Sequence, residues 1–266
     1  MAGAASRTFV IGTRASKLAL RQTEIIAALL RRAHPDLTLD VREITTQGDA
    51  SDAPLSVIGG LGVFTKAIED ALLRGECDIA VHSLKDLPSA MTPGLTLAAV
   101  PEREDPRDAL ITRNGITLEA LPAGARIGTG SGRRAAQLLA LRSDIRPDDI
   151  RGNVDTRIRK VESGDYDGAV LAMAGLERLG LLDKVAQVFE TEAMTPAVGQ
   201  AALAIEVRGD DADALTLLRT LDHWQTRAAV EAATRGCLPL KSAGRGNRYG
   251  TTSSVPGSSS SPASCH

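Results

Sequence analysis

Short apolar runs that end in glycine or a polar patch alternate along most of this chain with stretches whose apolar residues recur at helical spacing. That alternation confines the chain to an α/β architecture, because each strand needs a helix to cover the sheet it joins. Thr8–Ile11 reads as a first strand ended by Gly12, and Ser16 reads as the N-cap of a helix carrying Leu18, Leu20, Ile25, Ile26, Leu29 and Leu30. A second strand follows over Leu37–Ile44, then the flexible loop Gly59-Gly60-Leu61-Gly62, a helix Phe64–Leu73 and a buried strand Cys77–Val81. Further strands read over Leu95–Val100 and Ala109–Thr112.

A second α/β unit opens near Asp105. Arg126-Ile127-Gly128 forms a short strand running into a Gly/Ser loop and a helix Arg134–Leu141, and Asn153 caps a helix through Val161. Gly168–Ala172 and Leu203–Val207 are buried strands, the latter returning to the first unit. Two similar lobes with a cleft between them are the architecture these signals predict. From Thr234 the chain turns rich in Arg, Gly and Ser and loses hydrophobic periodicity, which predicts disorder.

With 266 residues, 43% of them hydrophobic, the chain can build one large domain or two ordinary ones. A net charge of −2 gives no nucleic-acid or membrane signature, and 2% aromatic residues argue against base-stacking platforms. No stretch reaches the apolar length of a membrane span, and the N-terminus lacks the apolar core of a signal peptide, which predicts a soluble protein of the cell interior. Cys77, Cys237 and Cys265 have no CxxC spacing, and no metal-ligand spacing links His34, His82, His223 and His266.

The stretch Val81-His82-Ser83-Leu84-Lys85-Asp86-Leu87-Pro88 places Lys85 and Asp86 just past the end of a strand. In open α/β sheets ligands bind there. A carboxylate beside an ammonium at that position suits acid–base work or cation stabilisation, although taken alone the pair reads first as a surface ion pair. Cationic groups recur at other strand–helix junctions: Arg14 before the Ser16 cap, Arg133 and Arg134 after the loop Gly128–Gly132, Arg151 and Arg157 around Asn153, and Arg178 after the strand Gly168–Ala172. Helix N-termini favour anions, and arginine grips carboxylates or phosphates two-pronged, so the repetition points to one cleft lined for a ligand with many negative groups. The glycine loop matches neither a dinucleotide fingerprint nor a P-loop. His82 reads either as a base or as a hydrogen-bonded structural residue, and Cys77 as inert packing. The loop Gly59–Gly62 reads either as a lid or as a plain connection.

Five motifs together resemble the porphobilinogen deaminase family across Val10–Val230: Gly12-Thr13-Arg14-Ala15-Ser16, the Val81–Pro88 stretch, Glu102-Arg103-Glu104-Asp105-Pro106-Arg107-Asp108, Arg151-Gly152-Asn153-Val154-Asp155-Thr156-Arg157, and Pro196-Ala197-Val198-Gly199-Gln200. The resemblance implies two lobes like those of periplasmic binding proteins, residues 1–104 with 197–217 and residues 105–196. Residues 218–266 would be the remnant of a truncated or aberrant C-terminal α+β domain that carries the cofactor. It implies a transferase of heme and tetrapyrrole biosynthesis that joins four porphobilinogen molecules with release of ammonia, primed on a covalent dipyrromethane cofactor. It further implies a cytoplasmic monomer with no nucleic-acid or membrane partner. By the same resemblance Asp86 is the catalytic aspartate, and Arg14, Lys85, Arg133, Arg134, Arg151, Arg157 and Arg178 contact substrate and cofactor carboxylates. Ser16, Thr129 and Ser131 supply neutral hydrogen bonds, while Phe64 and Gln200 line the cleft.

The family's Gly-Gly-Cys-Gln-Val-Pro type cofactor motif is absent; the expected place reads Ser242-Ala243-Gly244-Arg245. Cys237, in Arg235-Gly236-Cys237-Leu238-Pro239, is a superficial candidate for the attachment point that arrives early. The missing motif leaves an alternative: a defective enzyme, or a non-catalytic binding module for an oligo-carboxylate.

Overall fold

A computed structural model describes residues 7–46, 65–88 and 90–243, with side chains to residue 234. In chain order the elements are β1 (Thr8–Thr13), α1 (Lys17–Ala33), β2 (Thr38–Glu43), α2 (Lys66–Leu73), β3 (Ile79–Ser83), a 3₁₀ turn Leu84–Asp86, β4 (Leu95–Ala99), β5 (Asp108–Thr112), β6 (Arg126–Gly128), α3 (Gly132–Leu141), β7 (Arg146–Asp148), α4 (Val154–Glu162), β8 (Gly168–Ala172), α5 (Met173–Arg178), β9 (Val185–Phe189), β10 (Leu203–Arg208), α6 (Ala212–Leu218) and α7 (Trp224–Ala243).

The strands form two five-stranded sheets ordered β2-β1-β3-β10-β4 and β7-β6-β8-β5-β9. The two follow one plan. Three strands run parallel (β2, β1, β3 in one, β7, β6, β8 in the other), and an antiparallel strand then joins the third. In each sheet that antiparallel strand, β10 or β5, lies just after a passage between the sheets. The chain crosses once between β4 and β5 and returns between β9 and β10.

Burial explains the alternation. Ile11, Ile79, Ile205 and Val207 of the first sheet pack against Ile26 and Leu30 of α1 and Leu218 of α6. Cys77 and Ala80 pack against Ile68 and Leu72 of α2 on the other face. In the second sheet Leu110, Ile127 and Val170 pack with Leu138 of α3, and Ile111, Ala169 and Leu171 with Ile158 and Val161 of α4.

Several boundaries differ from the sequence expectation. Gly12 does not end β1, which runs to Thr13; a Cβ at Gly12 would lie 2.7 Å from Cys77 Sγ, so glycine is there for close packing. β3 runs past Val81 to Ser83 because pairing with Leu203 and Ala204 of β10 extends it, which places His82 inside the sheet. Its Nε2 lies 3.3 Å from Glu206 Oε2, with both side chains buried. The helix after the glycine loop starts at Gly132 rather than Arg134, and α7 continues past Thr234 to Ala243. β7, β9, α5 and α6 are elements the sequence reading left out. The loop Gly59–Gly62 and Phe64 lie outside the described residues.

Candidate active site

A cleft of about 330 Å³ lies where the C-terminal ends of β1, β3, β6 and β8 face each other across the two sheets. Short connections deliver its walls. Arg14 and Ser16 follow β1, and Ser16 accepts from the Ala19 N–H at 3.3 Å to start α1. Ser83 ends β3, its Oγ accepting from Gln22 Nε2 at 2.8 Å, and Lys85 and Asp86 occupy the 3₁₀ turn that follows. From the second sheet come Ser131 and Arg134 at the start of α3, Arg151 and Arg157 flanking the start of α4, and Arg178 at the end of α5. Ser131 caps α3, whereas Asn153 precedes α4 without a side-chain cap bond.

Charge is distributed unevenly here. Among the described residues the cleft wall carries six cationic side chains, Arg14, Lys85, Arg134, Arg151, Arg157 and Arg178, and one carboxylate, Asp86. Neither Lys85 nor Asp86 makes a hydrogen bond or ion pair within the described residues. Burial, with Arg134 next in effect, pushes the Lys85 ammonium down to about 8, against the opposing pull of Asp86. Burial together with Arg134 and Arg151 likewise brings Arg157 down to about 10. Cations held so close resist their charge and gain from an anion entering among them.

Three of the anticipated residues stand behind the wall instead of on it. Arg133 is buried, donating to the Thr195 carbonyl and through Nη2 to Asp108 Oδ2 at 2.7 Å. Gln200 is fully buried and donates through Nε2 to Asp108 Oδ1 at 2.8 Å and to the Pro106 carbonyl at 2.6 Å. Thr129 is buried, its Oγ1 accepting from the Ser131 N–H at 3.2 Å, so it shapes the glycine loop. Cys237 lies in α7, with its side chain outside the described residues.

Asp108, which the sequence reading quoted without a role, is the centre of this second layer. Its carboxylate also takes Arg134 Nη2 at 2.6 Å and Nε at 3.1 Å. Burial pushes this carboxyl up, but Arg134 and Arg133 outweigh it and hold it below the ordinary carboxylate range. Two further groups had been given no role: Glu104, 2.8 Å from Arg178, and Ala201, whose carbonyl accepts from Arg178 Nη2 at 2.7 Å. The alternation of acid and base in Glu102–Asp108 was the available signal for Glu104 and Asp108. Ala201, at φ 72°, offered none.

The arrangement suits a ligand bearing several carboxylates, with one fixed carboxylate left for a developing cation. Among the described residues Cys77 cannot anchor such a ligand, since it is buried and burial pushes its thiol up to about 11.

Comparison with known proteins gives the family and the fold. Residues 9–216 match the family model described as porphobilinogen deaminase, dipyromethane cofactor binding domain. The porphobilinogen deaminase of Roseiflexus sp. (strain RS-1) is 53% identical over 227 residues, covering 85% of this chain and 75% of that protein. Those of Thermobifida fusca (strain YX) and Brevibacillus brevis are 52% and 48% identical over 223 residues, covering 84% of this chain and 69% and 72% of theirs. The solved structure of the methionine binding protein MetQ superposes with a TM-score of 0.51 at 11% identity, over 86% of this chain and 96% of that one, a likeness of fold.

Proposed function

The chain belongs to the porphobilinogen deaminase family, and from that premise we propose that Asp86 is its catalytic carboxylate and that Lys85 and the cleft arginines bind the carboxylates of substrate and product. The family's reaction is a transfer: four porphobilinogen molecules are joined head to tail, ammonia leaves at each addition, and water releases the linear tetrapyrrole hydroxymethylbilane. Each pyrrole carries an acetate and a propionate, so every intermediate is a polyanion. Arg14, Arg134, Arg151, Arg157 and Arg178 would hold those groups, with Ser16 and Ser131 adding neutral hydrogen bonds.

Loss of ammonia breaks the aminomethyl C–N bond and leaves a cationic methylenepyrrolenine. In a cleft with six cationic groups that cation needs a fixed negative partner, and Asp86 supplies one. The same carboxylate can carry a proton toward the leaving amine and take one from the pyrrole carbon after the new bond forms. The observation that carries this reading is that Asp86 is the sole carboxylate on the described cleft wall and has no protein partner among the described residues.

The cofactor fits in part. The cleft cations suit the four carboxylates of a dipyrromethane, which when bound supplies the free pyrrole carbon that accepts the first substrate. Its thioether needs a cysteine other than Cys77, and Cys237 is the candidate. We assign residues 1–104 with 197–217 to one lobe, 105–196 to the other, and 218–266 to a cofactor-carrying unit. Among the described residues no helix is long and apolar enough to cross a membrane, and a monomer working in the cytoplasm without nucleic acid completes the proposal.

Asp86→Asn tests it. The enzyme reading expects porphobilinogen consumption to fall about 10²-fold or more while binding of a carboxylated pyrrole persists. An unchanged rate would remove Asp86 from the chemistry.

A further inference from the structure

Arg178 is a cleft cation that the protein itself engages from both passages between the lobes. Its side chain is 5% exposed. Nη2 donates to the Ala201 carbonyl on the returning passage between the lobes, and Nε lies 2.8 Å from Glu104 Oε2 on the outgoing passage. The two contacts differ in quality. The one to Ala201 is an aligned hydrogen bond of 2.7 Å. In the other, neither Arg178 Nε nor Glu104 Oε2 completes an aligned hydrogen bond despite the short distance. Burial raises the Glu104 carboxyl above its ordinary range, Arg178 lowers it, and Glu177 beside it adds a second negative charge. The ion pair therefore combines a poorly solvated carboxylate, an off-axis contact and a like-charged neighbour.

We propose that Glu104 is a positioning residue that occupies Arg178 in the empty cleft as the protein's own stand-in for a ligand carboxylate, and that a substrate carboxylate binds Arg178 by displacing it. Glu104 is 32% exposed on its side chain, so it can turn to solvent once released, whereas Arg178 keeps the Ala201 carbonyl as a fixed anchor. The exchange leaves one arginine paired with one carboxylate before and after, so no buried charge is stranded. That fixed anchor lies beside the turn that carries Asp86. The Ala202 carbonyl, next to Arg178's anchor, accepts from the Leu84 N–H at 3.0 Å, and Leu84 opens the turn that holds Lys85 and Asp86.

This rests on the assignment of Arg178 to carboxylate binding, and the test separates the two. The probe is the pyrrole acetate–propionate that lacks the aminomethyl group and so cannot be condensed, titrated calorimetrically into the full chain. Glu104→Gln should bind it at least about threefold more tightly, because the internal competitor loses its charge. Glu104→Ala should do the same, which guards against an accidental effect of the amide. Arg178→Gln should bind more weakly, and Glu104→Gln should give no gain in that background. Weaker or equal binding by both Glu104 variants, with Arg178→Gln still impaired, would overturn the competitor role and leave the site assignment standing. Binding indifferent to Arg178→Gln, or no binding by the unaltered chain, would overturn both.

Discussion

Asp108 Oδ1 accepts from Arg134 Nη2 at 2.6 Å while Oδ2 accepts from Arg133 Nη2 at 2.7 Å, so one fully buried carboxylate holds two adjacent arginines of α3. Only Arg134 reaches the cleft. Asp108→Asn would strand two buried guanidinium groups, and breaking a buried pair in this way costs about 3–5 kcal/mol. Denaturant unfolding should show the loss as a lower midpoint.

Lys85 lines the cleft with its ammonium pushed down to about 8, so under the proposed role ligand binding is linked to protons. Its folded-state value of about 8 lies below that of an unfolded lysine, so the folded chain binds fewer protons than the unfolded one as pH rises from there. Stability therefore gains with rising pH between about 8 and 10.4, and below that window the charged ammonium is a burden on the fold. Lys85→Met should be more stable than the parent at pH 7, by about 1 kcal/mol after solvent screening, with the difference closing above pH 10.5. An entering carboxylate raises Lys85 again, so binding at pH 8 should take up about half a proton and binding at pH 6 almost none. Calorimetry in buffers of different ionisation heat reads this directly.

Gly128 ends β6 beneath the glycine loop, and a Cβ there would stand 2.8 Å from Ile150 Cδ1 and 2.9 Å from Ile150 Cβ. Gly128→Ala should cost about 1–3 kcal/mol through forced displacement of the buried Ile150. Gly132, where nothing lies within 4 Å of an added Cβ, should accept alanine with little change, and thermal unfolding of the pair compares them.

Ala201 adopts φ 72°, the left-handed region that a side chain disfavours. Ala201→Gly should raise stability by about 1 kcal/mol by relieving that strain. If the strained turn helps hold Leu84 through Ala202, turnover should fall in the same variant.

Cys77 should resist iodoacetamide in the native protein, and peptide mapping of the purified chain should find no dipyrromethane on it. Its burial and its thiol at about 11 leave almost no reactive thiolate at neutral pH. Labelling at a rate matching a free cysteine would contradict the packing of β1 against α2.

Much of this protein could be read from order and spacing. The α/β alternation, the Ser16 cap, the strand Gly168–Ala172 and the turn carrying Lys85 and Asp86 are local consequences of apolar periodicity and capping chemistry, which act over a few residues. The motifs likewise determined the family. What the sequence could not decide was which arginines face the cleft, because Arg133 and Arg134 are neighbours with the same chemistry. Their separation depends on Asp108, 25 and 26 residues away, and on Gln200 arriving from the returning passage. The extension of β3 through His82 had the same origin, a strand partner 122 residues distant in Ala204. Local energetics fixed the elements. Only the tertiary structure, by burying a single carboxylate between two like charges, decided which cation stands behind the wall and which one lines the cleft.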